Sequence, residues 1–176
     1  IKKAPQNTPL PSLEEGIDYW TAINCKRTIP TSTILKEYQF NGYTFNLNPQ
    51  QGYGKETMFL ENGYKLDVTS KGCNSIVNTY SYFFTANDLD VSDEMAVSKK
   101  VLELIEMTAK MSKAEFNIKS RLNPLKVMVE QIGPFTIGNE LILSEKNGMQ
   151  KFNIERLEFK ESKNKVFLSY YFSYNL

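Results

Sequence analysis

Histidine is absent from the chain, and that absence limits its chemistry more than any residue present. It removes Ser-His-Asp and Cys-His nucleophile pairs, His-ligated zinc and an imidazole general base together. Two cysteines, a few adjacent acids and some serine-lysine dipeptides remain. Cys25 and Cys73 lie 48 residues apart, which excludes a Cys-x-x-Cys redox or zinc pattern. They either pair in an oxidising compartment or stay as two buried thiols in the cytosol. The turn-like setting Gly72-Cys73-Asn74 favours the disulfide, which by the chain-entropy argument contributes about 4 kcal/mol for a loop of this length.

The acid pairs Asp88 with Asp90, Asp93 with Glu94, and Glu14 with Glu15 read as helix caps or loop acids rather than the converging carboxylates of a glycosidase. Glu155 and Glu158 sit in an alternating stretch and are expected to face water. Ser70-Lys71 and Ser98-Lys99 are adjacent pairs, and neighbours on a regular element do not point at one another. Residues 87–94 lack the glycine and terminal glutamate of a calcium loop. The Gly52-Tyr53-Gly54-Lys55 run has Pro49 and Glu56 where a phosphate loop needs glycine and a hydroxyl. The expectation is a protein that binds without catalysing, with no cofactor and no metal.

The best candidate surface is the polar, glycine-containing loop over residues 48–55, in which Tyr53 projects between two glycines. Tyrosine on a protruding loop is a common contact residue. Gln50, Gln51, Tyr53 and Lys55 are therefore the expected partner-binding residues.

These residues need a scaffold, and the composition allows one. At 176 residues and 41% apolar content the chain can bury a core. Lys and Arg number 21 against 20 Asp and Glu, for a net charge of +1, so no bulk field attracts nucleic acid or an anionic membrane. A protein partner is expected instead. No window approaches the roughly 18 to 20 apolar residues of a membrane-spanning helix, so no integral membrane segment is expected. The chain opens on Ile1, and residues 1–11, with three prolines, read as an extended tether of the kind that follows a cleaved signal peptide or a lipid-modified N-terminus. A periplasmic or extracellular setting follows as an expectation, with residues 12–176 as one domain.

Along that domain, Ser12 with Glu15 has capping-box spacing, and residues 19–25 form a first strand or the end of a short helix. Residues 34–40 and 43–47 flank Asn41-Gly42 as a hairpin. Residues 57–60 and 64–68 flank Asn62-Gly63, and 75–85 is a strongly β-prone strand. From Ser92, the spacing of Met95, Val97, Val101, Leu104, Ile105, Thr108 and Met111 predicts an amphipathic helix that ends before Asn123-Pro124. Leu125, Val127 and Val129 alternate as a strand, with a short helix as the rival. Residues 140–145, 150–160, with a bulge between Ile154 and Leu157, and 166–174 complete a meander. The predicted fold is α+β, an antiparallel sheet of hairpins and a C-terminal meander packed against one long amphipathic helix. The expected function is that of an exported binding protein, an inhibitor or immunity-type protein of the bacterial envelope that blocks a partner enzyme or toxin. The alternatives are a small-molecule or lipid-binding module with an aromatic-lined cavity and a structural or adhesive surface component.

Overall fold

Alternation along the strands builds this protein around one sheet. In the computed structural model, residues 25–26, 29–39, 42–48, 52–87, 89–113, 117–144 and 149–175 are described. Seven strands, β1 (Thr44–Asn48), β2 (Tyr53–Phe59), β3 (Lys65–Lys71), β4 (Ser75–Thr85), β5 (Leu141–Ser144), β6 (Gln150–Lys160) and β7 (Lys165–Asn175), form an antiparallel sheet of order β1-β2-β3-β4-β7-β6-β5. A four-stranded meander and a three-stranded meander thus meet at their last strands. β4 and β7 pair along their whole length, from Ser75 opposite Asn175 to Thr85 opposite Lys165.

Two helices, α1 (Glu94–Met111) and α2 (Ile118–Gln131), lie between the meanders and cover one face. From β4, Ile76, Tyr80, Tyr82 and Phe84 point under them, and from β7 Val166, Leu168, Tyr170 and Phe172 do the same. α1 buries Val97, Val101, Leu104, Ile105, Thr108 and Met111, so six of the seven stripe residues lie in the core, and Met95 packs at its margin. Its cap is Asp93 rather than Ser92: the Asp93 carboxylate accepts from the Met95 and Ala96 amides at 2.8 and 3.1 Å, and Ser92 turns back to Asp90 instead.

The second helix corrects the single-helix expectation. Leu125 and Val129 satisfy both a strand and a helix, but Ile118 and Leu122 extend the stripe at helical spacing, and all four are buried. Val127, which alternation would place inward, is exposed. Pro124 lies inside α2. A proline there removes one backbone donor, and the burial of four apolar residues outweighs that loss.

Of the strand expected over 34–40, residues 34–39 do not form one, and Phe40 lies outside the described residues. Ile34 makes a single bridge to Ser112, and Lys36–Tyr38 is one turn of 3-10 helix. The hairpin partner of β1 is instead β2, in register from Thr44 opposite Thr57 to Asn48 opposite Tyr53. Within the loop expected over 48–55, Asn48 therefore ends β1 and Tyr53, Gly54 and Lys55 open β2, while residues 49–51 lie outside the described residues. Its alternation is hidden because Gly54 and Glu56 occupy inward positions where apolar side chains are usual. Gly54 is there for want of space: a Cβ would lie 3.0 Å from the Phe45 ring and 3.1 Å from Pro30. The β6 bulge falls between Ile154 and Arg156, as the shift in phase implies. The capping box at Ser12, residues 19–24, and the Asn41 and Asn147-Gly148 turn positions lie outside the described residues.

Two buried phenols meet at the hydroxyl of Thr108. Thr108 Oγ1 donates to the Leu104 carbonyl at 2.8 Å. It is therefore the acceptor for the phenols of Tyr82 at 2.7 Å and Tyr170 at 2.6 Å. A Thr108→Val substitution keeps the shape and orphans buried hydroxyls, an expected loss of about 2 kcal/mol. Urea titration measures it. Adding Tyr170→Phe to that variant should cost little more, and a second loss of equal size would show that the shared bond is not what Thr108 contributes.

Candidate functional site

Among the described residues the opposite face of the sheet carries no helix, and two of the expected partner residues stand on it. Tyr53 and Lys55 open β2 and point to this side, next to Lys71 and Thr69 of β3. Gln50 and Gln51 lie outside the described residues. Lys55 and Lys65 flank the buried Asp67 at 3.4 and 3.1 Å, and Thr57 Oγ1 donates to the same carboxylate at 2.9 Å. Further across, Lys65 stands 4.8 Å above the Phe83 ring, Phe83 packs on Phe167 at 4.8 Å, and the Arg156 guanidinium lies 5.5 Å over Phe167. Such contacts hold the cations extended over apolar rings rather than free in water.

At the far edge, Glu140 accepts from Lys151 at 2.5 Å and from the Tyr171 hydroxyl at 2.8 Å. These bonds, Lys151 first, hold its carboxyl below the usual glutamate range. The Tyr171 phenol is pushed up, by burial first and then by that carboxylate. Between this edge and β3 runs a groove of about 460 Å³, with Lys71, Thr79, Tyr171 and Ser173 among its walls.

Among the described residues, register places seven cations on this face: Lys55, Lys65 and Lys71 from β2 and β3, Lys151, Arg156 and Lys160 from β6, and Lys165 from β7. The carboxylates among them are Asp67, Glu140, Glu155 and Glu158. Seven against four gives a local +3 in a chain whose total is +1, so positive charge concentrates here. Phe59 and Phe83 are exposed between these cations. Interfaces are enriched in aromatic residues and arginine and depleted in lysine, so Phe59, Phe83, Phe167 and Arg156 are the interface-like members of this face.

On the helix side, Glu56 is 2% exposed and heavily bonded. It accepts from the Thr33 amide at 2.6 Å, the Thr33 hydroxyl at 2.5 Å, Ser32 Oγ at 2.8 Å and the Tyr43 hydroxyl at 2.8 Å. Burial foremost, with the Glu56 contact contributing, pushes the Tyr43 phenol up to about 12. Glu56 thus fastens the segment 29–35 across the sheet. It is an anchor with its lone pairs occupied, not a free acid. Sequence reading missed it, although an acid between Gly54 and Met58 in an otherwise alternating stretch is the signal that marks it.

Of the remaining acids considered for chemistry, Glu14, Glu15 and Asp88 lie outside the described residues, and the others lie apart. Asp90 binds Ser92, Asp93 caps α1, Glu155 is exposed, and Glu158 pairs with Arg156. Among the described residues no three His, Cys, Asp or Glu side chains converge to hold a metal ion, and no helix is long and apolar enough to cross a membrane. Cys25 and Cys73 form a disulfide, with Cα atoms 5.0 Å apart. In comparisons with known proteins the chain matches no protein-family model, no curated protein and no solved structure.

Proposed function

We propose that this is a non-catalytic binding protein of an oxidising compartment, periplasmic or extracellular, that meets a protein partner through the helix-free face of its sheet. In this reading it acts as an inhibitor or immunity-type protein and blocks an acidic surface of an enzyme or toxin. The observation that supports it most is the +3 patch interleaved with Tyr53, Phe59, Phe83 and Phe167 on the face that no helix covers. The Cys25–Cys73 bond supports the compartment, since structural disulfides persist where thiols are not kept reduced.

The test uses the full chain with a photo-crosslinking side chain at Lys71 on the sheet face or at Lys99 on α1, each irradiated in the producing cells. One discrete protein adduct from position 71, with none from position 99, is expected. Added salt should weaken it, and Lys55→Glu with Lys71→Glu should cut its yield about tenfold, because charge reversal at an interface slows encounter and adds repulsion. Equal adducts from both faces, or none that survive mass-spectrometric identification as a single protein, would reject the reading.

A further inference from the structure

Among the described residues one buried cation has no anion beside it. Arg121, in the first turn of α2, is 6% exposed, and a guanidinium keeps its charge at any ordinary pH. It lies over two rings of β7, 5.1 Å from the centre of Phe172 and 5.3 Å from that of Tyr174. Its Nε is buried with no hydrogen-bond partner. None of the ion pairs among the described residues includes it.

Two neighbouring polar groups share this condition. Asn78 pairs with Phe172 across the central strands, and Tyr80, the next inward residue of β4, sets its ring edge-on to Phe172 at 6.5 Å. The Asn78 Oδ1 and Tyr80 hydroxyl are both buried and unpartnered. Three orphaned polar groups therefore surround one aromatic ring. Buried polar atoms in folded proteins are almost always satisfied, and an unpaired buried charge is among the costliest exceptions. The helix offers no relief, since its first turn holds no acid and carries Lys119 beside a helix end that is itself positive.

We propose that this cluster is a binding site for the carboxylate of a small organic acid. Arg121 Nε and the Tyr80 hydroxyl donate to its oxygens, and the Asn78 amide, turned by 180° about its last bond, presents its N–H₂ as a third donor. A single guanidinium balances one negative charge, which suits a carboxylate better than a phosphate dianion. The aromatic surroundings, Phe172 and Tyr174 with Ile76 opposite Tyr174, suit an apolar body behind the charged group. The site is on the helix side of the sheet and does not depend on the sheet face as a partner surface.

The experiment follows thermal unfolding of the full chain at constant ionic strength in sodium chloride, acetate, benzoate or phosphate. Acetate or benzoate should raise the melting temperature in a saturable manner that chloride and phosphate do not match. Arg121→Met should abolish that shift. It should also melt higher than the natural protein in chloride, because an apolar side chain of similar reach replaces an uncompensated charge. Tyr80→Phe should weaken carboxylate binding about tenfold by titration calorimetry. The proposal is overturned if the carboxylates do no more than chloride, if phosphate matches them, if Arg121→Met keeps the shift, or if it melts lower, which would make Arg121 a stacking group only. Should Arg121→Met fail to fold, Tyr80→Phe decides: unchanged affinity rejects the site, and the tenfold loss upholds it.

Discussion

Raising the pH above about 10 is expected to cost this protein about 4 kcal/mol of stability per pH unit, enough to unfold it within a few units of pH. Tyr80, Tyr82 and Tyr170 are 0% exposed, and burial pushes all three phenols well above their ordinary value of 10.0. In the unfolded chain the same phenols ionise near pH 10. The folded state therefore holds three protons that the unfolded state releases. Stability from this source is fully present below pH 10 and falls as pH rises beyond it, by about 1.4 kcal/mol per tyrosine per pH unit. Urea titrations at pH 8, 9, 10 and 11 should show a constant midpoint followed by a steep fall, with tyrosinate absorbance of the buried phenols appearing only as the protein unfolds. Tyr80→Phe should reduce the slope by about a third. A midpoint unchanged between pH 9 and pH 11, or reversible ionisation of these phenols near pH 10 in the folded protein, would contradict the burial argument.

The same tyrosines show what could be read from the residues alone. Residues 75–85 read as a strand and are β4 without a change of boundary, because Ile76, Val77, Tyr80, Tyr82, Phe83 and Phe84 crowd β-branched and aromatic side chains into one run. The α1 stripe and the β6 bulge are legible for similar reasons, each a local pattern with one cheap solution, whereas the Cys25–Cys73 pair spans 48 residues and its spacing leaves two free thiols as a rival. Where local patterns were ambiguous, packing decided. Leu125 and Val129 fit two periods, and only Ile118 and Leu122, beyond the proline, tip the balance to a helix. Glu56 and Gly54 disguise β2, since one is an inward acid satisfied by a segment more than twenty residues away and the other is set by the crowding of Phe45 and Pro30. Tyr53 and Lys55 were found as surface residues but assigned to the wrong kind of element. The face they share with Lys71, Lys151, Arg156 and Lys165 has no sequence signal, because it is assembled by register among strands as far apart in the chain as those of Lys55 and Lys165. Arg121 had none either: its character comes from the absence of a neighbouring acid, which no spacing in a sequence expresses.

Replacing Cys25 and Cys73 together by serine is expected to destabilise the protein by about 4 kcal/mol, lowering the melting temperature by about 8 to 16 °C. The bond closes a loop with a sequence separation of 48 that contains the 29–35 segment and β1 to β3, and its loss returns that conformational freedom to the unfolded chain. Cys73 is presented by a turn that tolerates only glycine before it: Gly72 has φ 101°, and a Cβ there would stand 1.8 Å from the Ser75 carbonyl oxygen. The folded state has independent means of holding the segment in place. Glu56 binds Ser32, Thr33 and Tyr43, the Leu35 amide donates to the Met111 carbonyl at 2.8 Å, and the Lys113 amide donates to Thr33 at 2.9 Å. The serine variant should accordingly stay native in buffer, with the Thr33 and Leu35 amides still protected from hydrogen exchange, while its urea midpoint falls. A loss below about 1 kcal/mol would remove the chain-entropy account. Rapid exchange at Thr33 and Leu35 in the otherwise folded variant would show that the disulfide holds the segment in the native state and that the Glu56 anchor is too weak to do so alone.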